Sequence, residues 1–347
     1  MSSDWLKLCQ WFLIIGIVWT QDPDSCFNSR ARDGKCVHIE LCPELREIAH
    51  KRVVSKQESE FLAKNSCGKA MVCCENPLKS KNALPGVDTC GLGNVGDKII
   101  GGDLTDLGQY RWMVAIELLE DNERKIICGG SLINTLYVLT AAHCAARFVP
   151  EILFVRLGEF DLEMDPDCDE YNNCNDPVMI VGVSQKIIHH RYGKQRNDIA
   201  LLKLEKALPT EYTQFILPIC LPSPELVGQQ SFINEVVWAA GWGNTETGEL
   251  SRYKLHVKLM VTNLDECRVL TSRSELGQMH LCARSPIEGA GDTCTGDSGG
   301  PLMINLNGNW FVIGIVSFGE PCGSSTRPAV YVNVSNFVDW ILENTIE

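Results

Sequence analysis

Seventeen cysteines stand in 347 residues, and sixteen of them lie beyond residue 20. That density constrains the chain more than any other feature, since an even set of thiols in an oxidising compartment reads as eight disulfides with no free thiol. Zinc is the competing use. No pair of Cys-x-x-Cys knuckles occurs, however, and Cys73 and Cys74 are adjacent, which suits bridges better. The remaining cysteine, Cys9, falls in residues 1–20, which read as a secretory signal. Lys7 precedes an apolar run from Leu8 to Trp19, and the mature chain is expected to begin near Gln21. Neither that run nor any later one reaches the ~20 apolar residues of a membrane helix. A secreted, extracellular, soluble protein with no membrane partner is expected.

The cysteines are unevenly spread. Residues 26–74 hold six: Cys26, Cys36, Cys42, Cys67, Cys73 and Cys74. A segment this small cannot bury a large core and must be stapled. Residues 75–98 follow, rich in Gly, Pro, Asn and Lys with a solitary Cys90, and read as an exposed linker. The formal charge of −13 lies beyond it, because residues 21–98 carry 12 basic and 11 acidic side chains. An acidic body excludes nucleic acid as a partner, since phosphate binding needs a basic face.

From Ile99 onward the pattern changes. "YKLHVKLMV" places Leu255, Val257, Leu259 and Val261 on one face in strict alternation. "KIICGGSLI", "ILFVRLGEF", "DIALLKL", "EVVWAAGWG", "WFVIGIVSFG" and "AVYVNV" are further β-branched or aromatic runs set off by turns. Many short strands over residues 99–347 predict antiparallel barrels or sandwiches. Only the tail, "SNFVDWILENT", has helical spacing, with Phe337, Trp340 and Ile341 on one side.

Three separated stretches matter together: "LTAAHCAA" around His143, "RNDIALLKL" around Asp198 and "GDTCTGDSGGP" around Ser298. Each alone has a plain explanation: a structural histidine, a capping aspartate, a serine in a glycine turn. In this order, and at these separations, they resemble the chymotrypsin-type serine proteases across residues 99–347. The resemblance implies an all-β fold of two antiparallel six-stranded barrels with a C-terminal helix. It also implies a catalytic triad. A serine hydroxyl is a poor nucleophile until an imidazole takes its proton. His143 would be that base, Asp198 would hold its tautomer, and the backbone N–H groups of Gly296 and Ser298 would form the oxyanion hole.

The same resemblance gives meaning to "GDKIIGGD", residues 96–103. In this family the chain is cut ahead of such an Ile-Ile-Gly-Gly run. The new amino group then pairs with the aspartate before the nucleophile. Here the cut would follow Lys98, Ile99 would swing inward on Gly101-Gly102, and its ammonium would meet Asp297. The activator would be a protease with trypsin-like preference. Asp292, six residues before Ser298, would receive a substrate Arg or Lys, and Ser317 and Gly319 would pair with substrate backbone. Ala329 stands where relatives usually carry Gly, which narrows the pocket and leaves Arg against Lys open. The family pairings would be Cys128–Cys144, Cys267–Cys282, Cys294–Cys322 and Cys90–Cys220, with Cys168–Cys174 local to an inserted loop.

That loop carries Glu159, Asp161, Glu163, Asp165, Asp167, Asp169, Glu170 and Asp176. The chemistry needs no cofactor, but oxygen-rich loops hold Ca²⁺ and some relatives bind it hereabouts, which makes Glu159 and Asp161 candidate ligands. The competing reading is a solvated acidic loop. "NVS" at Asn333 is a glycosylation sequon.

The spacing C-x9-C-x5-C-x24-C-x5-C-C over residues 26–74 resembles the clip domain of arthropod proteases. The resemblance implies Cys26–Cys73, Cys36–Cys67 and Cys42–Cys74. It implies a clip-domain serine protease zymogen of an extracellular, haemolymph-like cascade, in immune melanisation or Toll-type signalling. Its partners would be protein substrates, an upstream activating protease and a serpin-type inhibitor. A non-catalytic adaptor of the same cascade is the alternative from another class, and a digestive trypsin the alternative within enzymes.

Overall fold

A computed structural model of the chain describes residues 25–39, 42–49, 51, 54–68, 71–75, 84–93, 103–146, 153–169, 171–193, 195–209, 212–222, 232–244, 249–286, 297–319 and 327–345. The chain divides into two compact units, residues 1–78 and 79–347. Among the described residues, no helix is long and apolar enough to cross a membrane.

The first unit is a four-stranded antiparallel sheet of β1 (Ser25–Phe27), β2 (Asp33–His38), β3 (Ser66–Gly68) and β4 (Met71–Cys74), in the order β1-β2-β4-β3. Helices α1 (Pro43–Ala49) and α2 (Lys56–Lys64) fill the long gap between its cysteines. Ser55 caps α2 and accepts from Glu58 N–H, while Glu58 reaches back to Ser55 N–H, so two orphan donors are satisfied reciprocally. Leu45, Val72 and the half-cystines Cys42 and Cys74 form a small buried cluster, with Val37, Ile39, Phe61 and Leu62 packed against it. Three bridges hold this small core: Cys26–Cys73, Cys36–Cys67 and Cys42–Cys74.

In the second unit, β5 (Asp103–Leu104) is followed by β6 (Met113–Glu120), β7 (Glu123–Leu132), β8 (Tyr137–Thr140), β9 (Leu153–Leu157), β10 (Met179–Ile188) and β11 (Ala200–Leu204). The last six of these close into a barrel in the order β10-β11-β8-β7-β6-β9. Then come β12 (Val236–Gly241), β13 (Leu255–Thr262), β14 (His280–Arg284), β15 (Pro301–Leu306), β16 (Asn309–Phe318) and β17 (Ala329–Asn333). These form a second closed barrel, β12-β15-β16-β17-β14-β13, because β13 returns to pair with β12, while β5 adds to the outer side of β13. Helices α3 (Ala142–Ala146), α4 (Leu264–Thr271) and α5 (Val338–Thr345) complete the unit. The two six-stranded barrels and the C-terminal helix are those the sequence implies. Closure leaves no barrel edge to aggregate.

Two differences have physical causes. Leu259 and Val261 of β13 are buried as the alternation requires, but His256 on the opposite face is buried too. Tyr110 covers it, with its hydroxyl 2.9 Å from His256 Nδ1. The linker is also less free than its composition suggests. Cys90 is bonded to Cys220, Gly91 N–H donates to Pro218 O (2.8 Å), and Trp310 N–H donates to Gly91 O (2.8 Å). Gly91 lies at φ +61°, and a Cβ there would run into the Trp310 backbone, so glycine is required.

Candidate active site

His143 sits in α3, directly after β8. Its Nδ1 is 2.8 Å from Asp198 Oδ2, and its backbone N–H donates to Asp198 Oδ1 (2.9 Å). Asp198, just ahead of β11, is only 4% exposed and accepts a third hydrogen bond from the hydroxyl of Ser317 on β16. Burial pushes its carboxyl up. The hydrogen bond and charge of His143, followed by Ser317, outweigh that and hold it below the ordinary carboxylate range. With the carboxylate ionised, Nδ1 must carry the proton, which leaves the other ring nitrogen, Nε2, free to accept one.

Ser298 is stitched to both barrels. Its carbonyl accepts from Gly129 N–H on β7 (2.8 Å), and the next residue, Gly299, donates its N–H to Val316 O on β16 (2.8 Å). Gly300 N–H donates back to Asp297 O (2.8 Å), closing the turn. Gly299 holds φ +81°, and a Cβ there would lie on Thr140 Oγ1 and Gly129 O. The disulfide Cys128–Cys144 joins β7 to α3. Residue 128 precedes the glycine that grips Ser298, and residue 144 follows His143. One bridge thus fixes Ser298 and the His143 imidazole against the same corner of the first barrel.

Asp297 turns the other way, where its Oδ1 accepts from Gly243 N–H (2.9 Å). Side chains on Gly241 or Gly243 would overlap its carboxylate, so both positions must be bare. Ala329, at the start of β17, lies beside Gly319: a Cβ added to Gly319 would be 3.6 Å from the Ala329 methyl. Ser317, Gly319 and Ala329 therefore share one end of the second barrel. Lys98, Ile99, Asp292, Gly296, Cys294 and Cys322 lie outside the described residues. The structure also joins Cys267 to Cys282 and Cys168 to Cys174. Asn333 ends β17 with its side-chain amide donating to Gln278 O (3.1 Å), which engages the nitrogen a glycan would join.

Several functional contacts escape sequence reasoning. The motifs single out Ser317 for substrate backbone, but not its hydroxyl on Asp198. Gly129 is visible only as part of "CGGS", and Gly241 and Gly243 only as part of "GWG". Arg273 stacks 4.7 Å over the ring of Phe318 and donates to Gln195 Oε1 (2.8 Å), a cluster beside Ser317 that no spacing announces.

The acidic loop does not fit a calcium ion. Glu159 gives one carboxylate oxygen to Arg156 (2.8 Å) and the other to Phe160 N–H. Asp161 is gripped by the Nε and Nη2 of Arg252 at 2.6 and 2.7 Å. Carboxylates already engaged by guanidinium and backbone N–H donors are poorly placed to ligate a metal.

The comparisons agree with this architecture. Residues 99–341 match the family described as Trypsin, and residues 26–74 match the regulatory CLIP domain of proteinases. The chain belongs to the trypsin family and carries a CLIP domain. It is 37% identical to the CLIP domain-containing serine protease B4 of Anopheles gambiae, covering 92% of this chain and 91% of that one. It is 36% identical to phenoloxidase-activating factor 3 of Holotrichia diomphalia, over 98% and 99% of the two chains. The Spaetzle-processing enzyme of Drosophila melanogaster is 34% identical, over 89% and 88%. Among solved structures, the Drosophila Grass clip serine protease of the Toll pathway superposes with a TM-score of 0.65 at 27% identity, covering 92% of this chain and 97% of that one.

Proposed function

We propose that this chain is a secreted zymogen of a serine endopeptidase, activated by cleavage after Lys98 and cutting protein substrates after Arg or Lys. The observation that carries the reading is the Asp198–His143 pair held against the same disulfide-fixed corner as Ser298. Ser298 Oγ attacks the scissile carbonyl as His143 Nε2 takes its proton, and His143 then returns that proton to the leaving amine. Asp198 keeps the imidazole in its working tautomer. The oxyanion is received by the N–H groups of Ser298 and Gly296, each donor of this kind worth roughly 3 kcal/mol of barrier. Asp292 binds the basic side chain, Ser317 and Gly319 pair with substrate backbone, and Ala329 narrows the pocket.

The switch reading rests on the placement of Asp297. Its carboxylate lies against two bare glycines, and the ammonium of a newly formed Ile99 terminus would meet it there. Residues 1–20 are the secretion signal in this reading, residues 26–74 the regulatory module, residues 75–98 the linker and residues 99–347 the protease. Relatives named for phenoloxidase activation and Spaetzle processing support a place in an extracellular cascade of melanisation or Toll-type signalling. Upstream stands a trypsin-like activator, downstream a zymogen or pro-ligand, and a serpin-type inhibitor ends the activity.

The test is to secrete the wild-type chain and its Ser298→Ala variant, cleave both with a lysine-specific protease, remove that protease and assay Arg and Lys peptide substrates. Activity confined to the wild type, with a new Ile99 terminus, is expected. Clean cleavage after Lys98 with no activity on any basic substrate would instead favour the adaptor reading.

A further inference from the structure

Four carboxylates crowd beneath the acidic loop with almost no access to water: Glu117 on β6, and Glu159, Asp161 and Asp167, each 3% exposed or less. Buried anions persist only when cations or several donors face them. Arg156 bridges Glu117 (2.7 Å) and Glu159 (2.8 Å), with Arg124 3.7 Å from the other oxygen of Glu117. Arg252 takes Asp161 and the more exposed Glu163. Asp167 is different. Its Oδ2 accepts from two neutral donors, Phe160 N–H (2.7 Å) and Asn175 Nδ2 (3.1 Å), and its Oδ1 is buried with no hydrogen-bond partner among the described residues.

The cation in that field is a lysine from the second barrel. Lys254, immediately before β13, is itself only 3% exposed. Its Nζ donates to the backbone carbonyl of Glu159 (3.1 Å) and lies 5.7 Å from the centre of the Trp242 ring. Burial pulls its pKa down to about 8, against the upward push of the Glu159 and Asp167 charges. A lone ammonium in so dry a place is costly, and a carbonyl oxygen with two carboxylates nearby is the setting a bound cation would also choose.

We propose that the ammonium of Lys254 is the internal cation of this loop, standing in the place of a bound metal, so that the loop keeps its shape without calcium. Lys254 is in addition a positioning residue. Its backbone N–H donates to Phe160 O, which also accepts from Trp242 Nε1 (3.3 Å). Trp242 lies between Gly241 and Gly243, the two residues packed on the Asp297 carboxylate. On its other side the Lys254 carbonyl accepts from both N–H and hydroxyl of Thr105, shortly after the Gly101-Gly102 hinge. The ammonium of Lys254 thus faces the acidic loop and the Trp242 ring, while its backbone joins Phe160 to the segment at Thr105.

The experiment uses the full secreted chain in a Ser298→Ala background, which prevents self-cleavage. Calcium chloride is titrated by calorimetry, and thermal melts are run with calcium or with a chelator. With Lys254 present, no binding heat and an unchanged melting temperature are expected. Lys254→Ala removes the charge and leaves room for an ion. Its melting temperature should fall by roughly 5–10 °C and be restored by millimolar calcium. Lys254→Met, neutral but filling the space, should fall similarly and not be restored. In the cleaved chain with Ser298 intact, Lys254→Ala should lower kcat more than it raises KM, with calcium reversing the loss. If Lys254→Ala accumulates only when calcium is supplied, the proposal stands. Stoichiometric calcium binding by the chain that retains Lys254 would overturn it. So would a Lys254→Ala variant that is as stable as its parent, or one that calcium does not rescue.

Discussion

Asp198 receives three donated hydrogen bonds, two from His143 and one from Ser317, and this explains why a buried carboxyl stays ionised. Replacing it by asparagine keeps the shape but reverses the demand on Nδ1, so kcat in the cleaved enzyme should fall about 10⁴-fold. Ser317→Ala removes one donor of the three and should lower kcat by roughly tenfold. The pH dependence has a definite sign. A carboxyl held below its ordinary value contributes stability above the ordinary carboxylate range, and that contribution fades as pH falls through the depressed value. The acid limb of stability should therefore begin near pH ~4 in both proteins, and in Ser317→Ala it should be smaller and end at higher pH, as melts across pH would show. At Gly243 an alanine methyl would overlap the Asp297 carboxylate, so Gly243→Ala should yield a chain that is cleaved normally after Lys98 yet remains nearly inactive. The pairing of His143 with Asp198 was legible because the two sit in fixed motifs whose resemblance implies it, and Ser298 stands out in the sequence for the same reason. Gly129, Gly241, Gly243 and the hydroxyl of Ser317 were not. Their roles exist only once residues far apart in sequence are folded together, and a glycine at a contact looks like a glycine in a turn.

Elements differ in how far their sequence announces them. The strict alternation of β13 predicted its core face, and the period of the tail predicted α5, whose Ile341 is fully buried. What alternation could not say is that His256 on the other face of β13 is buried as well, against Tyr110, as is Lys254 just before the strand. A lysine at an outward position reads as solvated until something lies over it. The disulfides also act at this scale. Cys168–Cys174 closes a separation of 6 residues and Cys90–Cys220 one of 130. On chain-entropy grounds removing the first should cost about 2 kcal/mol and the second about 5 kcal/mol. Denaturant unfolding of the paired Cys→Ala variants measures both. A larger loss from the short bridge would mean that it shapes the acidic loop in the native state rather than restricting the unfolded one.

At the scale of the whole molecule, Cys90, ahead of Lys98, is bonded to Cys220, beyond it, so the chain on the two sides of that lysine is joined by a disulfide as well as by the backbone. After cleavage following Lys98, the two pieces should migrate together on a non-reducing gel and separate on a reducing one. In the Cys90→Ser, Cys220→Ser double variant they should separate under both conditions. The bridge therefore turns the cut into a change of connectivity that leaves molecular composition alone. Whatever engages the CLIP domain afterwards meets the protease at a local concentration set by a short tether, of order millimolar. That encounter is first-order: dilution into a large volume of fluid, which would halt a meeting of free partners, leaves its rate unchanged.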